Sequence, residues 1–202
     1  MRIARGCGVV GCVALRWLLA SLVVSALPAL VGCAGFFVPV NGGGGGGGGA
    51  SSNNVYVANS VAKSVSGFAV GTGTLKAVPN SPLALGYSPA AMVVTPSNSF
   101  LYVAGPASIN VYSIGTDGSL TVPSNGSTVA VATVVSLDVS PDGNWLFGLD
   151  GLQQLLDVYQ INTSTGGLTA VGAVPYPIVD GAWVPRMVRV SPNGALVFAA
   201  LG

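Results

Sequence analysis

The chain has 202 residues, of which 50% are hydrophobic and only 6% are charged, and it contains no histidine. Seven basic residues against six acidic ones give a net charge of +1, without the Lys/Arg cluster that a nucleic-acid partner requires. The lack of histidine excludes His-based triads, His general bases and most zinc sites. All six acidic residues are aspartates. We therefore expect no nucleic-acid partner, no cofactor and no metal site, and these counts identify no catalytic residue.

The first 32 residues are typical of an export signal. Three arginines within the first 16 residues precede an apolar stretch from Leu18 to Val31. That stretch is too short, and too interrupted by Pro28, for a comfortable membrane span. Residues 1–32 are therefore interpreted as a signal peptide that is removed from the mature protein.

The apolar stretch ends in Leu30-Val31-Gly32-Cys33, which resembles the lipobox of bacterial lipoproteins. This resemblance implies cleavage before Cys33 and transfer of a diacylglycerol group to its thiol, because small side chains leave the scissile bond accessible. We therefore predict a lipoprotein held on a membrane of the bacterial cell envelope through lipid on Cys33. The alternative is an ordinary secretory signal or a short transmembrane anchor in which Cys33 has no role.

Residues 33–54 join this anchor to the rest of the chain. They contain an unbroken glycine run from Gly42 to Gly49, followed by small and polar residues. Glycine loses the most backbone freedom on ordering, and no side chain here offsets that cost. The segment is predicted to be a flexible tether with a reach of about 20 Å.

From residue 55 onward the sequence repeats. Three segments, 93–103, 138–148 and 189–199, align on a proline that follows serine or threonine, and the prolines are 45 and 51 residues apart. Turns such as Ser140-Pro141-Asp142-Gly143 combine a proline that presets φ with a glycine that accepts positive φ. The segments around them are short and rich in β-branched and aromatic residues, which predicts strands. The stretch Leu152–Leu156 could form a helix, and is interpreted as a longer hairpin connection.

Four short strands in a unit of about 45 residues are typical of a β-propeller blade. Tyr56-Val57-Ala58-Asn59, Leu101-Tyr102-Val103-Ala104 and the turn at 140–143 resemble the YVTN-type propeller repeat. This repeat also occurs in the seven-bladed, 6-phosphogluconolactonase-like lactonase family. The resemblance covers residues 55–202 and implies an all-β fold of four-stranded antiparallel blades. It specifies the fold much better than the activity.

The predicted propeller is incomplete. With strands ordered A to D from the axis outward, residues 55–80 supply B to D, and both 90–123 and 134–173 supply A to D. Residues 186–202 supply A and B, so the chain provides about three and a quarter blades. An open arc leaves two apolar blade faces exposed, which predicts self-association through those faces. We expect a truncated product or gene fragment; the alternatives are a propeller completed by another chain and a solenoid-like arc stable alone.

Few residues are candidates for chemistry. Val93, Asp138 and Arg189 occupy equivalent positions, three residues before the turn proline. Asp138 and Arg189 are predicted to form a polar pair lining the central channel, or alternatively an ion pair between blades. Asp150 and Asp157 flank a loop, but without the spacing of a calcium loop. Neither a Gly-x-Ser-x-Gly nor a Walker motif is present.

The sequence therefore favours a lipid-anchored propeller that acts as a binding or scaffold module. Its ligand would be a protein or a carbohydrate that the sequence does not specify. The alternative, implied by the lactonase resemblance, is hydrolysis of a sugar lactone, or an inactive fragment of such an enzyme. That chemistry needs groups that polarise the ester carbonyl and activate water, and we assign none of them to a residue.

Overall fold

The structure is a computed structural model that describes residues 53–124, 128–131, 133–176 and 184–202. Within these ranges the chain forms fifteen β-strands arranged in four antiparallel sheets, and no helix. The described residues therefore include no helix long and apolar enough to cross a membrane. The prediction of an all-β fold built from antiparallel blades is confirmed.

Each sheet is formed by strands that are consecutive in the chain. The first contains β1 (Asn54–Asn59), β2 (Ser64–Gly71), β3 (Thr74–Ala77) and β4 (Leu83–Ala84), and the second contains β5 (Ala91–Val94), β6 (Phe100–Ala104), β7 (Ser108–Ile114), β8 (Leu120–Thr121) and β9 (Thr128–Ala130). The third contains β10 (Val134–Val139), β11 (Trp145–Asp150), β12 (Leu155–Ile161) and β13 (Leu168–Pro175), and the fourth contains β14 (Pro185–Val190) and β15 (Val197–Leu201).

The strand order within the sheets is that of propeller blades. The third sheet runs β10-β11-β12-β13 and the second runs β5-β6-β7-β8, each strand pairing with the next one in sequence. In the first sheet, β1 corresponds to the second strand of these two sheets, so the described residues supply no counterpart of β5 or β10. The fourth sheet is a two-stranded ribbon. The described residues thus form part of a β-propeller, with two full blades between two partial ones.

The sequence predicts thirteen strands, and the structure adds β4 and β9. Both belong to outermost strands that are broken in two: β3 and β4 pair with opposite ends of β2, and β8 and β9 with opposite ends of β7. Prolines lie at both breaks, Pro79 and Pro82 in the first sheet and Pro123 in the second, and proline cannot donate a hydrogen bond to a strand ladder. β13 has no proline before Pro175, so this outermost strand continues unbroken.

The loop between β11 and β12 is a hairpin connection, as predicted, although it is shorter than expected. Residues 151–154 form the turn, and Gln154 has a positive φ of 61°. Leu155 and Leu156 belong to β12, where they pair with Asp150 and Leu149 of β11. Each leucine therefore has an in-register partner in the sheet.

The proline turns have the same geometry in all three repeats. In each, the hydroxyl of the residue before proline accepts a hydrogen bond from the N–H group five residues later, at 3.1 Å for Thr95–Phe100, 3.0 Å for Ser140–Trp145 and 2.9 Å for Ser191–Leu196. A Cβ built on Gly143 would lie 3.9 Å from Cδ of Pro96, and one built on Gly194 would lie 3.7 Å from Cδ of Pro141. Each of these two turns therefore packs against the proline of the preceding turn.

Two apolar clusters join the first three sheets. One lies between the first and second sheets and includes Val65 and Leu101. The other lies between the second and third sheets and includes Ile109 and Leu137. All four side chains are at most 2% exposed, so each sheet gains its core from the sheet beside it, as propeller blades do.

Two buried tyrosines add a polar contact to these junctions. The Tyr56 hydroxyl of β1 donates to the Gly118 carbonyl at 2.7 Å, and the Tyr102 hydroxyl of β6 donates to the Gly166 carbonyl at 2.8 Å. Both acceptors lie in the turn before the outermost strand of the next sheet. Phe147 is the equivalent residue of β11, and it lacks a hydroxyl. We refer to the two bonds as the tyrosine contacts.

Candidate functional site

The innermost strands of the second, third and fourth sheets lie side by side, with β10 packed between β5 and β14. The three residues singled out from the repeat all lie on these strands. Val93 of β5 is 4% exposed and belongs to the core between the second and third sheets. Val93 is therefore a packing residue, whereas Asp138 and Arg189 have polar partners.

Asp138 binds the backbone of the neighbouring sheet. Its Oδ2 accepts a hydrogen bond from Val190 N–H of β14 at 2.7 Å, and its Oδ1 accepts one from Val139 N–H at 3.0 Å. Two residues earlier, Ser136 Oγ accepts a bond from Val188 N–H at 3.1 Å. Two side chains of β10 thus accept hydrogen bonds from N–H groups of β14, and these bonds join the third sheet to the fourth.

Arg189 is half-buried on β14 and donates from Nη1 to the carbonyl oxygen of Val188 at 3.0 Å. The structure therefore brings Asp138 and Arg189 onto adjacent strands and gives each a backbone partner. Their role as a polar lining of a channel stays a prediction. Cys33, the predicted lipidation site, lies outside the described residues.

The other aspartates mostly stabilise turns. Asp150 is 1% exposed, and its Oδ1 accepts hydrogen bonds from the N–H groups of Leu152 and Gln153, both at 2.7 Å. Its Oδ2 accepts a third bond from Thr133 N–H at 3.3 Å. The exposed Asp142 accepts bonds from Ser140 and Asn144, which hold its pKa below the ordinary value. These carboxylates have local partners and are placed to fix backbone rather than to hold a ligand.

Asp157 differs from the other carboxylates. It is half-buried on β12, where burial and, to a smaller extent, the charge of Asp150 raise the pKa of its carboxyl group. Asp157 and Tyr159 line a recess of about 360 Å³ with residues 170–173. The described part of the chain contains no cluster of three His, Cys, Asp or Glu residues that could hold a metal ion.

A larger cleft lies where the outer part of the second sheet meets the β12–β13 turn. Its volume is about 500 Å³, and it is lined by Phe100, Ser113, Thr121, Val122, Pro123, Ser124, Ser164 and Thr165. Five of these eight side chains carry hydroxyls and none is charged. We call this feature the hydroxyl cleft. Sequence reasoning missed it, because scattered Ser and Thr residues in loops have no periodicity and come together only in three dimensions.

The fold and these sites define the chain as part of a β-propeller. No protein-family model and no curated protein matches it, and the similarity to known proteins comes from solved structures. The periplasmic gluconolactonase of Pseudomonas aeruginosa matches with a TM-score of 0.62 and 19% identity, covering 84% of this chain and 47% of that one.

Two further structures match at similar levels. A proposed 6-phosphogluconolactonase from Bacteroides uniformis has a TM-score of 0.58 at 19% identity, covering 73% of this chain and 43% of that one. A protein from Lactobacillus plantarum has a TM-score of 0.57 at 19% identity, covering 73% and 47%. The chain therefore spans less than half the length of each structure, and the matches establish a lactonase-like propeller fold.

Proposed function

We propose that this chain is part of a cell-envelope β-propeller that binds a neutral saccharide in the hydroxyl cleft. The observation that carries the proposal is the cleft itself, a concave site with five hydroxyl side chains and no charge. Its volume of about 500 Å³ falls within the range of roughly 300–1,000 Å³ usual for small-molecule sites.

The chemistry of the lining suits a sugar. A hydroxyl both donates and accepts hydrogen bonds, as the hydroxyl groups of a saccharide do. Within the described residues, the hydroxyls of Ser113, Thr121 and Ser164 have no intramolecular hydrogen bond, so a ligand would not have to displace an internal partner. A charged ligand would gain no ion pair from this lining, which favours a neutral one.

Calorimetric titration of the full chain with maltose, cellobiose and N,N′-diacetylchitobiose tests this proposal. The double variant Thr121→Val/Ser164→Ala removes two hydroxyls, and we expect it to weaken binding about tenfold. Thr72→Val is the matched control, because Thr72 is an exposed threonine in the β2–β3 turn, outside the cleft. Equal affinities for the double variant and the wild type would contradict the proposal, as would an absence of binding to all three sugars.

The envelope location rests on a separate line of argument. The sequence Leu30-Val31-Gly32-Cys33 supports lipid attachment, and the fold is similar to that of a periplasmic gluconolactonase. We expect the wild-type chain to incorporate radiolabelled palmitate and to sediment with membranes, whereas Cys33→Ser should lose both properties. A Cys33→Ser chain that retains the label and sediments as before would show that Cys33 is not the lipid attachment site.

Lactone hydrolysis is the second candidate function. Its support is the similarity of the fold to a periplasmic gluconolactonase and to a proposed 6-phosphogluconolactonase. If the chain has this activity, the full chain will accelerate the opening of glucono-1,5-lactone. Alkali uptake at constant pH measures the rate of this reaction. A rate equal to the spontaneous rate at micromolar protein would reject this candidate and leave the binding proposal untouched.

Self-association through the exposed blade faces also remains a proposal. Val188 is fully buried, and because side chains alternate along a strand, its neighbour Met187 faces away from the third sheet. Phe198 pairs with Arg189 and lies on the same outward face as Met187. Phe198 is 57% exposed and Met187 is 42% exposed. At the other end of the arc, Leu75 of β3 is 64% exposed. Burial of these apolar side chains would favour association.

A further inference from the structure

The outer edge of the third sheet is exposed over an unusual length. β13 runs for eight residues, and all of them except Leu168 are exposed. Val171 and Val174 are each 58% exposed, and the sequence Leu168–Pro175 contains no charged residue. Within the part of the chain that the structure describes, only β12 pairs with β13, so the N–H and C=O groups on the other side of β13 have no strand partner among the described residues.

The outer edges of the first and second sheets carry more protective features than β13, which has a single bulge at Val171, between the pairs Gly172–Val158 and Ala170–Tyr159. β3 has four residues, one of which is Lys76, and two prolines follow it before β4. β8 has two residues and ends shortly before Pro123. Short strands, lysines and prolines are the usual features that prevent edge strands from pairing with other chains. β13 lacks a lysine and is long, and its one proline lies at its end.

We propose that β13 pairs with the β13 strand of a second copy of this chain, antiparallel and across a two-fold axis. Identical strands meet each other in such a pairing, so any charge on β13 would be placed near its own copy and would repel it. A strand without charge carries no such penalty. The pairing would join two third sheets into one continuous sheet and satisfy the free backbone groups along both edges.

The side chains of β13 favour this partner. Ala170, Gly172 and Ala173 are small and uncharged, so they place neither bulk nor charge beside the side chains of a second copy of the strand. The exposed Val171 and Val174 supply apolar surface, and each occurs twice in a two-fold interface. This surface is separate from the blade faces at the ends of the arc and from the hydroxyl cleft, so the inference does not depend on the proposed function.

Charge substitutions on β13 test the proposal in the full-length chain. Sedimentation equilibrium should show a dimer for the wild type and at least a tenfold higher dissociation constant for either Val171→Lys or Val171→Glu. An equimolar mixture of these two variants should restore dimerisation, because opposite charges then face each other. Val61→Lys is the control, since Val61 is also an exposed valine, at 82%, but lies in the β1–β2 turn; it should dimerise as the wild type does.

Amide hydrogen exchange locates the contact. We expect the amides of 168–174 to exchange more slowly as protein concentration rises, and this effect to vanish in Val171→Lys. A wild type that is monomeric at 100 μM would overturn the proposal, as would protection of 168–174 that does not depend on concentration. Dimerisation that survives Val171→Lys but is lost in Phe198→Lys would also overturn it, because the blade faces would then form the contact.

Discussion

The tyrosine contacts are the most specific polar feature at the junctions between the first three sheets. Tyr102 is fully buried, and its hydroxyl donates to the Gly166 carbonyl at 2.8 Å. Tyr102→Phe keeps the ring in the core and leaves that carbonyl without its donor. We expect a loss of about 1–2 kcal/mol in the free energy of unfolding, measured by urea denaturation.

Tyr87→Phe is the control for this change. Tyr87 is only half-buried, and its hydroxyl bonds to another hydroxyl, that of Tyr112, at 3.1 Å. We expect its loss to be smaller than that of Tyr102→Phe. Equal losses in the two variants would show that the tyrosine contact adds nothing specific to the junction.

Asp138 gives a second prediction for a single residue. Asp138→Asn keeps the shape of the side chain but removes the charge that strengthens its bonds to the N–H groups of Val139 and Val190. We expect a loss of about 1 kcal/mol in unfolding free energy and faster amide exchange at Val190. Unchanged exchange at Val190, together with altered ligand binding, would instead favour the predicted channel lining.

The sequence identified the tyrosines and Asp138 as residues of interest, but it did not identify their hydrogen-bond partners. Tyr56 and Tyr102 recur with the repeat, which predicts packing residues, but their acceptors lie 62 and 64 residues further along the chain. Asp138 was identified as a polar residue on an inner strand. Its bond to Val190, 52 residues away, depends on how the sheets stack, which no local pattern encodes.

The turn between β12 and β13 gives a prediction for an element. Gly166 has φ of +74°, and a Cβ there would lie 2.6 Å from Cδ1 of Phe100 and 2.8 Å from Cγ2 of Val111. Gly73, in the β2–β3 turn, also has φ of +74° but has no atom within 4 Å of such a Cβ. Gly73→Ala therefore measures the conformational cost alone, about 1 kcal/mol.

We expect Gly166→Ala to cost about 1–3 kcal/mol more than Gly73→Ala, because the added methyl overpacks the junction between the second and third sheets. Thermal or urea denaturation of the two variants measures the difference. A similar loss in both variants would contradict the close packing of the β12–β13 turn against β6 and β7.

At the level of strands, the sequence predicted the regular parts and missed the interruptions. Alternation of β-branched residues with turn residues located the main strands, because those patterns are local. β4 and β9 contain two and three residues, too few for any sequence pattern. They form because a proline ends the preceding strand and the chain then returns to the same neighbour, a consequence of tertiary structure.

For the whole molecule we predict loss of stability at alkaline pH. Burial is the main cause that raises the pKa of Tyr56 from the ordinary 10.0 to about 12, and it also raises those of Tyr102 and Tyr159. Between pH 10 and about 12 the unfolded chain loses these protons while the folded chain keeps them. The stabilisation is fully present below pH 10 and declines as pH rises through this window.

Urea denaturation at pH 8, 10 and 11.5 measures this decline. Tyr56→Phe should show a shallower dependence on pH than the wild type, because one of the shifted groups is gone. A free energy of unfolding that stays constant from pH 8 to pH 11.5 would contradict the burial of these phenols.

The candidate site was much less predictable than the fold. The repeat identified inner strands, which is where Asp138 and Arg189 lie, but the hydroxyl cleft combines residues from β6, β7, β8, the segment after β8 and the β12–β13 turn. Its members are separated by up to 65 residues, from Phe100 to Thr165. Only the stacking of the second sheet on the third brings them together.

Nuclear Overhauser measurements on the full-length chain test the stacked arrangement most directly. If adjacent blades join as described, the ring protons of Tyr56 will show cross-peaks to Gly118, and those of Tyr102 will show cross-peaks to Gly166. If the four sheets form as observed but both sets of cross-peaks are absent, the result will contradict the stacking of each blade on the next.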